Sequence, residues 1–396
     1  MTATDVPATA ERDSATLPEQ PAPARRRWRW PDATPALLGY GLVRLVGLLI
    51  LLVFAHNAGK DVTWLLSSRF DAGWYRQIAV DGYNAAVPLG ADGSVKPSNL
   101  AFFPLYPMLT VAVTALTPLS WGAAGLLVAW LSGFATAWGL FAIGKHLRNR
   151  TFGVLLAMLW GVLPHALVQS MAYSESLLAA LCAWSLYALL RRQWLLAGTL
   201  CLFAGLTRPT ANGLIAAVVL TALVAVVRRQ DGWRPWVGAA LAPLGYLGYL
   251  TFVGLRLGRL DGYFYVQGEG WHVAWDWGRD TLDVIWRVTT VPERLEMYAI
   301  TLLILLSVAL LVLIFVERYP LPLLVYSLVS VVFVLGAGGS YHSKGRQLMP
   351  VFTLLLPIAM GLTSARRRTQ IVVMVVLAVI SGWFGAYLTL VWAASP

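Results

Sequence analysis

Long apolar stretches separated by short polar turns constrain the fold of this chain more than any other feature. The first stretch runs from Ala36 to Phe54, and similar ones recur as far as Val391. A helix needs about 20 residues to cross the roughly 30 Å hydrocarbon core of a bilayer, and the stretches approach that length. Charged residues make up only 12% of the chain, against about a quarter in an average soluble domain. The sequence therefore predicts an all-α polytopic membrane protein and excludes a water-exposed globule.

The positive charge of the chain reports membrane topology. The formal net charge is +11, but the basic residues form short runs between apolar stretches, a pattern typical of cytoplasmic loops. We therefore expect the lipid bilayer as a partner and no nucleic acid. The cysteines, Cys182 and Cys201, both lie inside apolar stretches, which indicates packing and neither a disulfide framework nor a metal-ligand pair.

The N-terminal residues 1–31 differ in composition from the rest. They are rich in Ala, Pro, Thr and Glu, lack an apolar core of signal-peptide length, and end in the basic and aromatic run Arg25–Trp30. We expect a disordered cytoplasmic tail with an interfacial anchor. The absence of a visible internal repeat predicts a single membrane-embedded domain over residues 32–396.

The topology depends on the stretch Ala101–Leu119, which contains three prolines. If it spans the bilayer, the basic runs near Arg148, Arg191 and Arg228 fall outside, against the positive-inside bias. If it lies in the interface, all three fall in the cytoplasm, as does the basic turn at Arg366–Arg368. We therefore expect an interfacial segment, a cytoplasmic N-terminus, and an outer loop over residues 56–119 that contains interfacial helices.

About eleven transmembrane helices follow from this choice. A polar stretch at residues 257–296, rich in acids and tryptophans, is expected to form an outer cap. The predicted spans are Ala36–Phe54, Trp121–Ile143, Phe152–Val168, Ser174–Leu190, Trp194–Leu206, Asn212–Val227, Trp236–Leu255, Met297–Phe315, Leu321–Ala337, Leu348–Leu362 and Ile371–Val391.

The first outer loop holds a candidate catalytic carboxylate. Helical spacing would place Asp71, Trp74, Tyr75 and Ile78 along one side of a short helix. A partly desolvated carboxylate beside aromatic rings suits a general base, and such rings can stack on a sugar. The alternative is structural, with Asp71 as a helix N-cap paired with Arg69 and the aromatic residues as an interfacial belt.

Several motifs in the chain resemble the signature of the PIG-V family, which contains the second mannosyltransferase of GPI-anchor assembly and many bacterial relatives. The resemblance spans residues from about 69 to 357 in order. It rests on Arg69–Tyr75 with Ile78-Ala79 and Gly82-Tyr83, Ala101–Pro107, Tyr173–Leu177, Ala197-Gly198 leading to Thr207-Arg208, and Gly345-Arg346 before Pro350.

The resemblance implies a GT-C type glycosyltransferase that uses a polyprenyl-phosphate sugar. It assigns the acidic residue of the first outer loop, Asp71, as catalytic. Phe70 stands where the family often has Trp, and Thr207–Thr210 departs from the common pattern after the arginine. The substrate-binding residues expected from the motifs and the physical arguments below are Arg69, Trp74, Tyr75, Tyr106, Glu175, Arg208, Lys344 and Arg346.

Arg208 follows an apolar stretch that is too short for a comfortable span, and Pro209 breaks the helix after it. Charged groups at membrane depth usually line a pathway or pair with a partner, and broken helices expose backbone donors suited to anions. Binding of the lipid phosphate is one interpretation. Snorkelling to the interface, or a structural pair with Glu175, is the other.

Lys344 and Arg346 lie between two predicted spans on the outer side, where the positive-inside rule predicts few cations. A donor phosphate would supply an anionic partner, and Arg offers paired donors in a fixed geometry. Contact with outer-leaflet headgroups is the alternative. His342 is expected to be a hydrogen-bonding loop residue and not a catalyst.

Glu175 opens a predicted helix, where its charge would favour the helix N-terminus and Ser174 could cap. The family motif also favours a position lining the site. No metal-ligand cluster or nucleotide-binding loop is present, and no cofactor is expected.

These residues together predict an inverting sugar transfer on the extracytoplasmic side of the cell membrane. Asp71 takes a proton from an acceptor hydroxyl, and cations stabilise the departing lipid phosphate. Mannose is implied by the resemblance alone, and the acceptor is expected to be a glycolipid or a glycan. The alternatives are transfer of another sugar, such as arabinose or glucose, and a lipid-linked-sugar transporter or flippase.

Overall fold

The computed structural model describes residues 1–2, 32–392 and 395. The predicted tail and its basic anchor therefore lie outside the described residues, except for Met1 and Thr2. From Asp32 onward the chain folds as one unit of packed helices, which confirms the all-α class.

The first part of this unit contains the segment predicted to form the outer loop, residues 56–119, and the helices that follow it. Short 3₁₀ helices at Asn99–Ala101, Ala166–Ser170 and Pro209–Ala211 lie between longer helices of this part. The helices are α1 (Thr34–Asn57), α2 (Val62–Ser67), α3 (Asp71–Asp81), α4 (Leu105–Leu116), α5 (Trp121–Leu147), α6 (Arg150–Gly161), α7 (Glu175–Leu190), α8 (Trp194–Gly205), α9 (Asn212–Val227), α10 (Arg234–Leu241) and α11 (Leu244–Leu257).

The second part begins with the cap, residues 257–296, and returns to long apolar helices. Two short strands, β1 (Ala274–Trp275) and β2 (Ala337–Gly338), pair antiparallel and join the cap to the end of a long helix. The remaining helices are α12 (Gly262–Tyr265), which continues into a π-helical turn, α13 (Arg279–Thr290), α14 (Leu295–Val316), α15 (Leu321–Gly336), α16 (Lys344–Gln347), α17 (Leu356–Ser364) and α18 (Arg367–Leu390).

Within the described part of the chain, six helical segments are long and apolar enough to cross a membrane, or seven if the bent pair Tyr341–Gln347 and Phe352–Ser364 forms one span. The structure therefore has the composition of a multi-pass membrane protein. Five further apolar helices of 10–17 residues are α4, α6, α7, α8 and α15. The count of eleven spans stays a prediction. It treats α8 as a span and α4 as an interfacial helix, although both are 12 residues long.

Proline accounts for two differences between predicted and observed helices. The predicted span Phe152–Val168 ends early, because Pro164 follows α6 and cannot continue its hydrogen bonding. The predicted span Leu348–Leu362 is replaced by a 3₁₀ turn and α17, which lie at 70° to the preceding segment Tyr341–Gln347. Pro350 lies in the break, and the segment before it carries the cations predicted for the site.

Close helix packing depends on small residues. A Cβ atom on Gly144 of α5 would lie 2.5 Å from the Cα of Gly153 on α6, so the two backbones touch at this crossing. Likewise, Gly47 of α1 packs against Gly382 of α18. Such contacts are typical of helices in membranes, where small residues allow the backbones to approach and gain van der Waals contact.

Arg44 is a cation in the middle of α1, within the apolar stretch Ala36–Phe54, and the sequence analysis did not select it. Its side chain is buried and donates hydrogen bonds to the carbonyl oxygen of Gly161, 3.3 Å away, and to Ser170 Oγ, 2.7 Å away. Gly161 is the last residue of α6, so the guanidinium satisfies a free helix-terminal carbonyl.

Candidate functional site

The helix that carries Asp71 begins with an unusual backbone conformation. Phe70, which precedes α3, has φ 54°, a value in the left-handed region that is uncommon for a residue with a bulky side chain. Such backbone strain is often found at functional sites. Asp71 is the first residue of α3, and its side chain makes no capping bond, so the N-cap alternative is wrong. Its backbone N–H instead donates to Tyr173 Oη, 3.3 Å away.

Asp71 pairs with Arg346 and not with Arg69. The Nη1 atom of Arg346 donates a hydrogen bond to Asp71 Oδ2 at 2.8 Å, and both side chains are buried. Arg346 also donates to Ser395 Oγ at 3.0 Å and lies over the ring of Tyr173. No described residue donates a hydrogen bond to the other carboxylate oxygen, Oδ1. One oxygen of Asp71 is therefore held by Arg346, and the side chain also lines the cavity described below.

Glu175 brings Arg346 and Arg208 together. Its Oε1 atom lies 2.9 Å from Arg208 Nη1 and 3.3 Å from Arg346 Nε. Both distances are those of ion pairs, but the N–H groups do not point at the oxygen as a hydrogen bond requires, so neither Glu175 oxygen has an aligned donor among the described residues. Asp71, Glu175, Arg208 and Arg346 form a group of two acids and two bases, called here the charged cluster.

Ser174 and Tyr75 complete the polar side of the cluster. Ser174 does not cap α7, contrary to the expectation. Its Oγ instead accepts a hydrogen bond from Arg208 Nη1 at 3.2 Å and shares one with Tyr75 Oη at 2.6 Å. Burial raises the pKa of the Tyr75 phenol to about 12, so Tyr75 stays neutral at pH 7 and acts as a hydrogen-bonding group.

Burial also acts on Arg208, where it opposes the charged form. The nearby Glu175 carboxylate and the other neighbouring groups outweigh this effect, so the pKa of the Arg208 guanidinium lies above its ordinary value. The predicted pairing of Arg208 with Glu175 is therefore seen in the structure. Arg208 nevertheless still lines the cavity described next, so pairing and ligand binding are compatible.

A cavity of about 400 Å³ opens beside the charged cluster. This volume falls in the range of small-molecule sites, which are mostly apolar with a few convergent polar groups. Asp71, Tyr75, Arg208 and Arg346 all line it. The predicted site residues therefore converge from α3, α16 and the break before α9.

Aromatic and cap residues that the sequence analysis did not select form much of the remaining wall. The outer loop contributes Phe102 and Phe103, and the cap contributes Tyr263, Gln267 and Trp271. The richness of the cap in tryptophan was visible in the sequence. The place of the cap residues in the cavity wall was not visible in the sequence, because it depends on the pairing of β1 with β2.

Three other predicted residues lie around the cavity but do not line it. Trp74 stacks on Phe102, with ring centroids 5.8 Å apart, and so supports a cavity residue from behind. Tyr106 is buried and donates to the carbonyl oxygen of Gly125 at 2.7 Å. Arg69 donates to the carbonyl oxygen of Thr389 and lies over the Phe70 ring. The contacts of all three are within the protein.

Lys344 also lies away from the cavity. It is fully buried, and its Nζ atom donates to the carbonyl oxygens of Val334 and Ala337, at 2.8 Å and 2.5 Å. These carbonyls are at the C-terminal end of α15, where a cation is stabilised by the helix dipole. The contacts are those of a helix-capping residue, whereas His342 beside it does line the cavity.

The charged cluster is difficult to explain by stability alone. Burying an ion costs several kcal/mol, and replacing a buried ion pair with apolar residues is often neutral or stabilising. Buried charges in membrane proteins usually line substrate or ion pathways. Among the described residues, no group of three His, Cys, Asp or Glu side chains is placed to hold a metal ion.

Comparisons with known proteins place the chain in no family. No protein-family model matches it, and no curated protein matches it. Among solved structures, it is similar to ArnT from Cupriavidus metallidurans bound to undecaprenyl phosphate, with 15% identity and a TM-score of 0.48. The match covers 85% of this chain and 62% of that one.

Proposed function

We propose that this protein is a membrane-embedded glycosyltransferase that takes a sugar from a polyprenyl-phosphate carrier. The observation that carries the proposal is the convergence of a carboxylate and two guanidiniums, Asp71, Arg208 and Arg346, in the wall of an aromatic-lined cavity. A carboxylate can take a proton, guanidiniums bind phosphate through paired donors, and aromatic rings can stack on a sugar. The motifs that resemble the PIG-V family contain all three residues.

In the proposed reaction, an acceptor hydroxyl enters beside Asp71, and its oxygen attacks the anomeric carbon of the donor. The bond from that carbon to the phosphate oxygen breaks, and the configuration at the carbon inverts. The proton moves to the second oxygen of Asp71, Oδ1, and the bonding electrons leave with the lipid phosphate, whose new charge faces the guanidiniums. Because lipid phosphate is a good leaving group, the scheme requires no nucleotide.

Mannose is the proposed sugar, on the resemblance alone, and a glycolipid or envelope glycan is the proposed acceptor. The site is proposed to face the extracytoplasmic side. The first alternative is transfer of another sugar, such as arabinose or glucose. The second is a transporter of lipid-linked sugars. A transporter should expose polar groups to both faces in turn, whereas here three residues of the charged cluster, Asp71, Arg208 and Arg346, line a single cavity.

Proteoliposomes would test the proposal. Purified protein is given polyprenyl-phosphate mannose labelled in the sugar, together with a mixed lipid and glycan extract as the acceptor. We expect label to leave the donor lipid and to appear in a new product. Parallel reactions with glucose and arabinose donors test sugar identity. Movement of the intact labelled donor across the bilayer, with no bond cleaved, would instead indicate a transporter.

A further inference from the structure

Glu175 is a buried acid that the proposed reaction does not use. It is 1% exposed, does not line the cavity, and begins α7 directly behind the two arginines. An acid in the first turn of a helix is favoured by the helix dipole. This effect explains a carboxylate at the position but not the approach of two guanidiniums to a single oxygen, Oε1.

The formal charges of the cluster balance when no substrate is bound. Arg208 and Arg346 supply two positive charges, and Asp71 and Glu175 supply two negative ones. In the proposed reaction the lipid phosphate arrives as a diester with one negative charge and leaves as a monoester with up to two. Two buried guanidiniums without counter-ions would attract such a product strongly.

Glu175 is placed to limit this attraction. It cannot move out of the way, because it is enclosed and fixed at the start of a helix, so its charge acts on the arginines whether or not phosphate is present. Its lack of aligned hydrogen bonds shows that it does not saturate the guanidiniums. Neither Nη2 group of the two arginines donates a hydrogen bond to a described residue, so these two groups remain available to a ligand.

We propose that Glu175 is a positioning residue and a permanent counter-ion. It holds Arg208 and Arg346 together and lowers their affinity for the lipid phosphate product, so that the product can leave. This inference rests on the proposed function, and it concerns product release and not the chemical step.

Titration calorimetry tests the inference. It measures how tightly purified protein in nanodiscs binds farnesyl phosphate, a short polyprenyl monophosphate. Glu175→Gln keeps the shape and removes the charge. We expect it to bind farnesyl phosphate about tenfold more tightly or more, since one opposing charge close to the phosphate is removed. Turnover should fall because release becomes slow, with no rise in the KM for donor. A role in folding or geometry alone would weaken binding.

Two further variants separate charge from shape. Glu296→Gln changes another buried acid, which accepts a hydrogen bond from Tyr387, and should leave the affinity unchanged. Glu175→Gln with Arg208→Gln restores the charge balance and should remove the gain in affinity. If Glu175→Gln does not fold, Asp71→Asn removes the other negative charge of the cluster and should also tighten binding.

Unchanged or weaker binding by a folded Glu175→Gln or Asp71→Asn protein would overturn the inference. Sugar transfer by the wild-type protein, measured in parallel, distinguishes this result from a failure of the proposed function. If the wild-type protein transfers sugar while the variants bind no more tightly, only the inference fails. If it neither binds farnesyl phosphate nor transfers sugar, both fail.

Discussion

Arg346 and Asp71 meet at 2.8 Å across 275 positions of sequence, and their contact joins the candidate leaving-group site to the candidate base. The guanidinium holds one oxygen of the carboxylate and lines the same cavity. As Asp71 takes up a proton in the proposed reaction, Arg346 loses an anionic partner at the moment that the departing phosphate gains charge. The two events are therefore coupled through one side chain.

Asp71→Asn should reduce turnover by at least about two orders of magnitude, since general-base assistance is typically worth 100- to 10,000-fold. The amide keeps the shape and can still accept a hydrogen bond from Arg346, so the protein should insert and fold. Transfer from polyprenyl-phosphate mannose is the measurement. Asp81→Asn is the matched control, because Asp81 is exposed at the other end of α3. Near-wild-type turnover in Asp71→Asn would refute the assignment of Asp71 as the general base.

Arg346→Ala should impair donor use far more than acceptor use. The loss of one charge-assisted contact costs about 1.5–3 kcal/mol, which corresponds to roughly ten- to a hundredfold in affinity. Steady-state kinetics with each substrate varied in turn measure the difference, and Arg208→Ala should act in the same direction. Arg287→Ala removes an exposed arginine paired with Glu293 and should change neither KM. Donor kinetics that stay unchanged in the Arg346→Ala and Arg208→Ala double variant would contradict the phosphate site.

Gly345→Ala should inactivate the protein through the position of Arg346. A Cβ atom at this position would lie 2.3 Å from Cε1 of the buried His165 ring, so α16 must shift. A misplacement of about 1 Å at a reacting group can cost about a hundredfold in rate. Transfer activity measures the loss. Removing the ring in Gly345→Ala with His165→Ala should restore part of the activity, and a double variant as inactive as the single one would contradict this explanation.

Lys344→Met should lower stability and leave donor affinity unchanged. The substitution removes the donor to the carbonyl oxygens of Val334 and Ala337, and an unsatisfied buried group costs about 1–3 kcal/mol. Thermal unfolding in detergent should show a lower melting temperature. If Lys344 instead bound phosphate, as the sequence analysis expected, the KM for donor would rise while the melting temperature stayed the same.

Cysteine labelling tests the topology. Cys182 and Cys201 are buried and should not react with a membrane-impermeant maleimide in the folded protein. Arg148→Cys, in the exposed turn after α5, should be labelled only after the membrane is permeabilised. Asp92→Cys, in the outer loop, should be labelled in intact cells. Labelling of Arg148→Cys from outside would contradict the interfacial assignment of Ala101–Leu119.

The sequence predicted the helical class from its apolar stretches, and it selected four residues that line the cavity, Asp71, Tyr75, Arg208 and Arg346. The apolar stretch Ala36–Phe54 became α1 with only small changes at its ends, and the spacing of Asp71, Tyr75 and Ile78 predicted a helix that the structure contains. Motif positions placed Arg208 and Arg346 among the candidates before any contact was known.

Contacts between distant segments were harder to predict. The structural alternative paired Asp71 with its neighbour Arg69, but folding brings Arg346 to it instead. Lys344 and Arg346, two cations two residues apart, were both expected to bind the donor phosphate, yet Lys344 binds the carbonyl oxygens at the end of α15 and Arg346 lines the cavity. Such choices depend on tertiary packing, which periodicity and composition do not record.

The distance along the chain between Asp71 and Arg346 also has a consequence for biogenesis. Asp71 and Glu175 are synthesised well before Arg346, so for much of insertion the two acids lack one of the guanidiniums that face them in the finished protein. An uncompensated buried charge is strongly unfavourable, so the outer loop and α7 cannot settle into their final arrangement until the segment Tyr341–Gln347 arrives. The charge balance of the site is therefore expected to be completed late in assembly, once this segment is in place.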